Sequence, residues 1–317
     1  MIDLKKAEII SVARTNIPDC FVLKNKIGSA HGEAKLYVGG NSLRNWNDFF
    51  NNFDIHGVVL KSDIIAYLDL ARDEYENQTQ EYRNDISEDW LNYYNVASKL
   101  DDIILFPITH KDYSNKSRYY INSSSSIYTF LRQICLPVMT TLLLEKIIID
   151  GKHYVLFRPY INDIGNIYEN EIVRYQVEEI NNSGSIDETT KTQIIQSRKG
   201  QGKYRELILN KFNGQCAITG VNDARILIAS HIKPWTDSNN EERISRENGI
   251  LLSPTFDKLF DKGFISFKNN GQIILSDYFD ARNFCRLGID GGIVCKLYLT
   301  TEMSVYLDYH RDIVFKR

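Results

Sequence analysis

The stretch Ile226–Phe267, ILIASHIKPWTDSNNEERISRENGILLSPTFDKLFDKGFISF, decides how the chain is read, because it joins a strand, a polar loop, a second strand and a short helix. The run from Arg225 to Ser230 suits a buried strand, and His231 stands where it ends. Gly249–Leu252 reads as the second strand, with Asn248 at its start. Ser253 is then placed to cap a helix over Pro254–Lys262, with Pro254 as its first residue and Gly263 as its stop. Phe256, Leu259 and Phe260 form the packing face of that helix, while Asp257 and Asp261 stack on another. Carboxylates at this spacing repel by ~0.2–0.5 kcal/mol in an isolated helix. Either a cation offsets that repulsion or Lys258 and Lys262 balance a solvated face.

Each polar residue at these joints has an ordinary reading. A lone histidine after a strand is usually a half-buried packing residue. The joint pattern weighs against it: His231, Asn248 17 residues on, and Asp257 nine residues further. A neutral imidazole is suited to taking a proton from water near neutral pH. An asparagine can bridge backbone groups across a long loop with both amide donor and carbonyl acceptor. An aspartate supplies a hard oxygen ligand for Mg²⁺ or a similar cation.

Outward from this stretch, Tyr204–Phe212 has apolar residues at helical spacing and stops at Asn213-Gly214. GQCAITGV follows as a short hairpin-like piece, and Phe264–Phe267, an Asn-Asn-Gly turn and Gln272–Leu275 form an expected β-hairpin. Together, YRELIL, CAITG, ASHIKPW, ERISRENGILLSPTFDKLFDKGFISF and the later YLDYHRDIVF form an ordered series over Tyr204–Phe315. This series resembles the HNH endonucleases of the ββα-metal fold. The resemblance implies that His231 is the general base that activates water and that Asn248 is the middle asparagine, which shapes the loop. It places Asp257 at the third position, where metal is bound. The implied cofactor is Mg²⁺ or Mn²⁺, which neutralises the scissile phosphate and the leaving oxygen.

Two departures from the family pattern stand out. Many relatives carry an aspartate ligand just before the catalytic histidine, whereas here that position is Ser230, which could act through its carbonyl, through water, or not at all. Asp261 is the alternative second carboxylate. The paired C-x-x-C knuckles of many relatives are also absent, Thr219 standing three residues after Cys216, so no structural zinc is expected. Lys233, Arg243 and Arg246, in the loop between the strands, are the candidate contacts to DNA phosphates, against the alternative of simple solvation. Trp235 reads as a packing anchor and the motif around His310 as structural.

The whole chain of 317 residues exceeds a typical single domain, and 43% hydrophobic with 25% charged residues is an ordinary globular composition. Asn181–Gly202, polar and rich in small residues, reads as a linker between a domain over 1–180 and one over 203–317. The expected class is α+β: a mixed α+β domain that selects the target or senses a signal, then the HNH domain. In the first domain helices are expected at Leu4–Val12, Ser62–Arg83 with Ser62-Asp63 as cap, and Ser87–Leu100. Short β-like runs fall at Cys20–Leu23 and Lys35–Val38, with a GGNS turn after them, and strands at Ile103–Ile108, Arg118–Ile121 and His153–Tyr160. Ile127–Ile149 reads as a buried helix kinked at Pro137; its uncharged run, Gln133–Leu144, has 12 residues, below the ~18 needed to span a bilayer. Aromatic residues such as Trp46, Trp90, Tyr93, Tyr94, Tyr119, Tyr120 and Tyr128 could stack on bases, but core packing is the stronger reading.

The net charge of −3 excludes a protein that coats nucleic acid by charge alone. Ser185–Arg317 carries 19 Lys+Arg against 16 Asp+Glu, leaving 19 against 25 in residues 1–184, so phosphate contacts would come from local clusters such as SRKGQGKYR. Five cysteines without a C-x-x-C fit a reducing, cytoplasmic setting. The function that the resemblance implies is a DNA endonuclease acting on double-stranded DNA in host-defence restriction, dimeric when it cuts both strands, with no membrane. The competing readings are a DNA-binding or regulatory protein with a non-catalytic HNH module, and a nuclease switched on by a signal.

Overall fold

The structure, a computed structural model, describes residues 2–29, 31–38, 49–50, 55–113, 118–161 and 202–317. The expected linker 181–202, the GGNS turn and Trp46 lie almost wholly or wholly outside them, only Gly202 being described. The chain divides into two compact units, residues 1–172 and 173–317. Its class is α+β.

In the first unit, five strands form one sheet: β1 (Glu8–Asn16), β3 (His56–Leu60), β4 (Ile103–Pro107), β7 (Thr140–Ile149) and β8 (Lys152–Ile161), in the order β1-β7-β8-β3-β4. All neighbours run antiparallel except β3 beside β8. Strands β2 (Leu36–Val38), β5 (Thr109–Tyr113) and β6 (Arg118–Asn122) make a separate sheet ordered β2-β6-β5. Helices α1 (Lys61–Asn77), α2 (Asp89–Ser98) and α3 (Ser126–Ile134) complete this unit. Tyr93, Tyr119 and Tyr128 are buried in its core, so these aromatic rings pack rather than wait for bases.

Several local expectations fail for identifiable reasons. The Leu4–Val12 helix is a single 3-10 turn at Leu4–Lys6 followed by β1, because Ile9 to Asn16 pair with β7. Cys20–Leu23 is a turn rather than a strand. The Ile127–Ile149 helix stops at Ile134, and the second half becomes β7, flanked on both sides by strands. A strand buried on both faces has no period-2 signature, so its apolar run imitates a buried helix. Ser62-Asp63 does not cap α1; Leu60 occupies the N-cap position without a side-chain bond, and Asp63 turns inward to Arg158 at 3.3 Å. Arg158 is fully buried and also reaches Glu145 at 3.5 Å.

The first described element of the second unit is α4, a helix over 202–211. Cys216–Val221 follows as a tight turn closed by the Cys216 amide bonded to the Val221 carbonyl, with Gly220 at φ 72°. Strand β9 (Ile228–His231) pairs antiparallel with β10 (Gly249–Leu252), His231 facing Gly249 and Ser230 facing Ile250. The loop between them carries a short helix α5 (Asn240–Ile244), with Asn239 and Glu242 forming a reciprocal cap. Helix α6 (Pro254–Asp261) leaves β10 directly; Ser253 stands at its N-cap but makes no side-chain cap bond, and Pro254 opens the first turn. The hairpin of β11 (Ile265–Phe267) and β12 (Ile273–Leu275) follows, then α7 (Ala281–Arg286) and α8 (Thr301–Tyr309).

The tail closes on α6. Helix α8 runs into a wider turn at His310–Val314, whose His310 ring lies flat on Phe260 at 3.8 Å. His310 Nε2 donates to the Phe260 carbonyl at 3.1 Å, which leaves Nδ1 as acceptor for the Ser266 hydroxyl at 3.0 Å. Gly263, at φ 70°, admits this tail: a Cβ there would lie 2.0 Å from the Val314 carbonyl oxygen. Among the described residues no helix is long and apolar enough to cross a membrane.

Candidate functional site

His231 ends β9 half-buried between two rings. Tyr204 of α4 stacks parallel on it at 3.9 Å and 8°, and Trp235 meets it edge-on at 5.5 Å and 81°. Its Nε2 lies 3.0 Å from the Arg243 carbonyl. A carbonyl can only accept, so Nε2 carries the proton and Nδ1 keeps its lone pair. Burial lowers the pKa of His231 from its ordinary value, partly opposed by the bond to Arg243, so the ring stays neutral at neutral pH.

Asn248 is fully buried and braces the loop that carries Arg243. Its Oδ1 accepts the Lys233 amide at 2.8 Å, while Nδ2 reaches the carbonyls of Glu242 at 3.1 Å and Lys233 at 3.3 Å and the Ser238 hydroxyl at 3.3 Å. Glu247, the residue before it, accepts from buried Lys211 at 2.9 Å and from Thr300 at 2.7 Å. Both ends of the 232–247 loop are therefore tied down by side chains.

Asp257 lies on the first turn of α6, half-buried, with the Ser230 side chain near enough to lower its carboxyl pKa. Burial raises its carboxyl pKa and nearby Asp261 adds to the rise, while Ser230 and Lys258 oppose it. Asp261, one turn on, is exposed. The Ser230 carbonyl is occupied by the ladder with β10 and by Tyr204 Oη at 3.4 Å, which leaves only its hydroxyl to act towards Asp257. No cluster of three or more His, Cys, Asp and Glu is brought together among the described residues. What is present, a desolvated carboxylate repelled by a second, suits a hard cation that completes its shell with water and phosphate oxygens.

The basic residues are bound within the loop. Lys233 Nζ contacts both Glu242 oxygens at 2.8 Å and lies 5.2 Å over the Tyr309 ring. The Arg243 guanidinium sits 5.0 Å over Trp235, donating to the Trp235 carbonyl at 3.1 Å and Asn240 Oδ1 at 3.2 Å. Arg246 pairs with Glu247 at 3.1 Å. Trp235, expected as an anchor, is 42% exposed while holding Arg243.

Sequence reasoning gave Tyr204 and Glu242 no role. Tyr204 Oη donates to the Asn248 carbonyl at 2.9 Å, and Glu242 both caps α5 and pairs with Lys233. The Tyr-Arg pair of YRELIL was the available signal: Arg205 likewise ties α4 to the chain before β9 through the Leu227 and Ala224 carbonyls.

The strand pair ending in His231 and the helix carrying Asp257 form a ββα arrangement. Residues 216–268 match the HNH endonuclease family, so the C-terminal unit carries an HNH endonuclease region. No curated protein gives a significant match to the chain.

Proposed function

We propose that the chain is a divalent-metal-dependent endonuclease that hydrolyses phosphodiester bonds of double-stranded DNA. The observation that carries this is His231, whose protonated Nε2 is committed to a carbonyl and whose Nδ1 is free to take a proton from an attacking water. Asn248 keeps that carbonyl in place by fixing the loop from both sides. Asp257, with Ser230 and Asp261 near it, would hold Mg²⁺ or Mn²⁺. Such an ion supplies charge neutralisation at the scissile phosphate and the leaving oxygen. The basic loop side chains would meet flanking phosphates after exchanging internal partners for DNA.

Restriction-type host defence is the setting we favour, with the first unit selecting the target or sensing a signal, in the cytoplasm. Cutting both strands with one such centre per chain favours a homodimer on DNA. Supercoiled plasmid incubated with Mg²⁺ or Mn²⁺ tests the activity: wild type nicks or linearises it, while His231→Ala and Asp257→Ala lose the activity by at least about a hundredfold. Equal cleavage by all three would sink the assignment.

Ser230 supports a second reading, a DNA-binding or regulatory module without catalysis, because it puts a hydroxyl where many relatives carry an aspartate ligand. Calorimetric titration with Mn²⁺ separates the two readings. A nuclease binds the ion in a manner that Asp257→Ala abolishes, whereas a non-catalytic module gives the same trace with and without the substitution.

A further inference from the structure

Tyr204 is a buried aromatic residue that touches both halves of the strand pair at the proposed centre. Its ring lies on His231 at 3.9 Å with only 8° between the planes. Its hydroxyl donates to the Asn248 carbonyl at 2.9 Å and approaches the Ser230 carbonyl at 3.4 Å. These carbonyls belong to the residues adjoining the pair His231 and Gly249. Gly249 is required for the approach by space, not by backbone angle: it is extended at φ −143°, but a Cβ there would lie 2.5 Å from Tyr204 Oη and 2.3 Å from Ile208 Cδ1.

A hydrogen bond from one ring nitrogen alone leaves an imidazole free to swing about that bond. A second constraint perpendicular to the ring plane removes this freedom, and Tyr204 supplies it. Because the Tyr204 ring is pinned by its own hydroxyl, the plate beneath His231 cannot slide along the strands. Resting on the proposed nuclease reading, we infer that Tyr204 is a positioning residue for His231: it holds the imidazole in the orientation in which Nε2 stays bonded to the Arg243 carbonyl and Nδ1 stays available to the attacking water. The aromatic face also favours the imidazolium formed when the proton is taken, since cations are attracted to an aromatic ring face.

The test uses the full chain and reads the tautomer separately from cleavage. Nitrogen NMR of ¹⁵N-histidine-labelled protein, with the His231 signal assigned by its loss in His231→Ala, shows His231 in wild type as one Nε2–H species. Tyr204→Phe keeps the ring and gives the same species, with kcat about three- to tenfold lower because the pinning bond is lost. Tyr204→Leu removes the plate, giving mixed tautomers and a kcat about a hundredfold lower, with KM for DNA within about twofold of wild type. Thermal melts establish that each variant is folded. A folded Tyr204→Leu with the wild-type tautomer and kcat, or one whose loss lies in KM, would overturn the inference. If Tyr204→Leu fails to fold, Tyr204→Phe decides alone: a wild-type kcat overturns the pinning role. If wild type itself cuts no DNA, the nuclease reading falls, while the tautomer comparison still decides what Tyr204 does to His231.

Discussion

At the scale of single residues the site is organised by groups that do not themselves react. Asn248 offers one acceptor and two donors, and all are taken by loop groups. Asn248→Ala would leave the Lys233 amide and the Glu242 carbonyl short of partners in a buried place. An unsatisfied buried polar group costs ~1–3 kcal/mol, so a loss of about 3 kcal/mol in urea unfolding is expected. Cleavage should fall more steeply than stability, because the loop that Asn248 fixes also carries the carbonyl that holds His231. An unchanged unfolding midpoint would show that water replaces the side chain. Asp257 and His231 are both held off their ordinary pKa values, in opposite directions and largely by the same cause, burial.

At the scale of elements, what matters is how closely α4, the strand pair and α6 approach one another. Gly249→Ala would place a methyl about where Tyr204 Oη and Ile208 Cδ1 now sit. Overpacking of this kind costs ~1–3 kcal/mol. Thermal melting should show that loss, and nicking should slow because α4 is pushed away from His231. Wild-type behaviour in both would mean the interface is looser than the distances imply. The β10–α6 junction was legible in the sequence because Gly249–Leu252 is a compact apolar run and Pro254 can only open a helix. The Ile127–Ile149 segment was not, since Thr140–Ile149 carries a helix-like apolar run whose strand pairing is fixed by β1 and β8, far away in sequence. His231, Asn248 and Asp257 stood out by their positions at element joints. Tyr204 did not, because stacking across elements leaves no mark in local spacing.

At the scale of the whole molecule, acid should act through a group that takes no part in the proposed chemistry. Burial against Phe260 pushes His310 down to about 4, only partly opposed by its bond to the Phe260 carbonyl. Its folded pKa lies below the unfolded value near 6.5, so the unfolded chain binds the extra proton first. The stability held by neutral His310 is complete above about pH 6.5 and is lost as pH falls from there towards 4. It amounts to about 3 kcal/mol by linkage. Urea unfolding from pH 7.5 to 4.5 should show that slope, and His310→Phe, which keeps a ring on Phe260, should flatten it. An equal slope in the variant would assign the acid sensitivity elsewhere. Because the tail bearing His310 packs behind α6, this loss would also loosen the helix that carries Asp257.

The central claim is that His231, neutral and oriented through Nε2, takes the proton from water. Single-turnover cleavage of a defined duplex in Mg²⁺, followed from pH 5 to 9, tests it most directly. The rate should fall on its acid limb at an apparent pKa below the ordinary 6.5 of histidine, with His231→Ala reduced at least about a hundredfold across the range. A variant that cuts at the wild-type rate with the same pH dependence would contradict it.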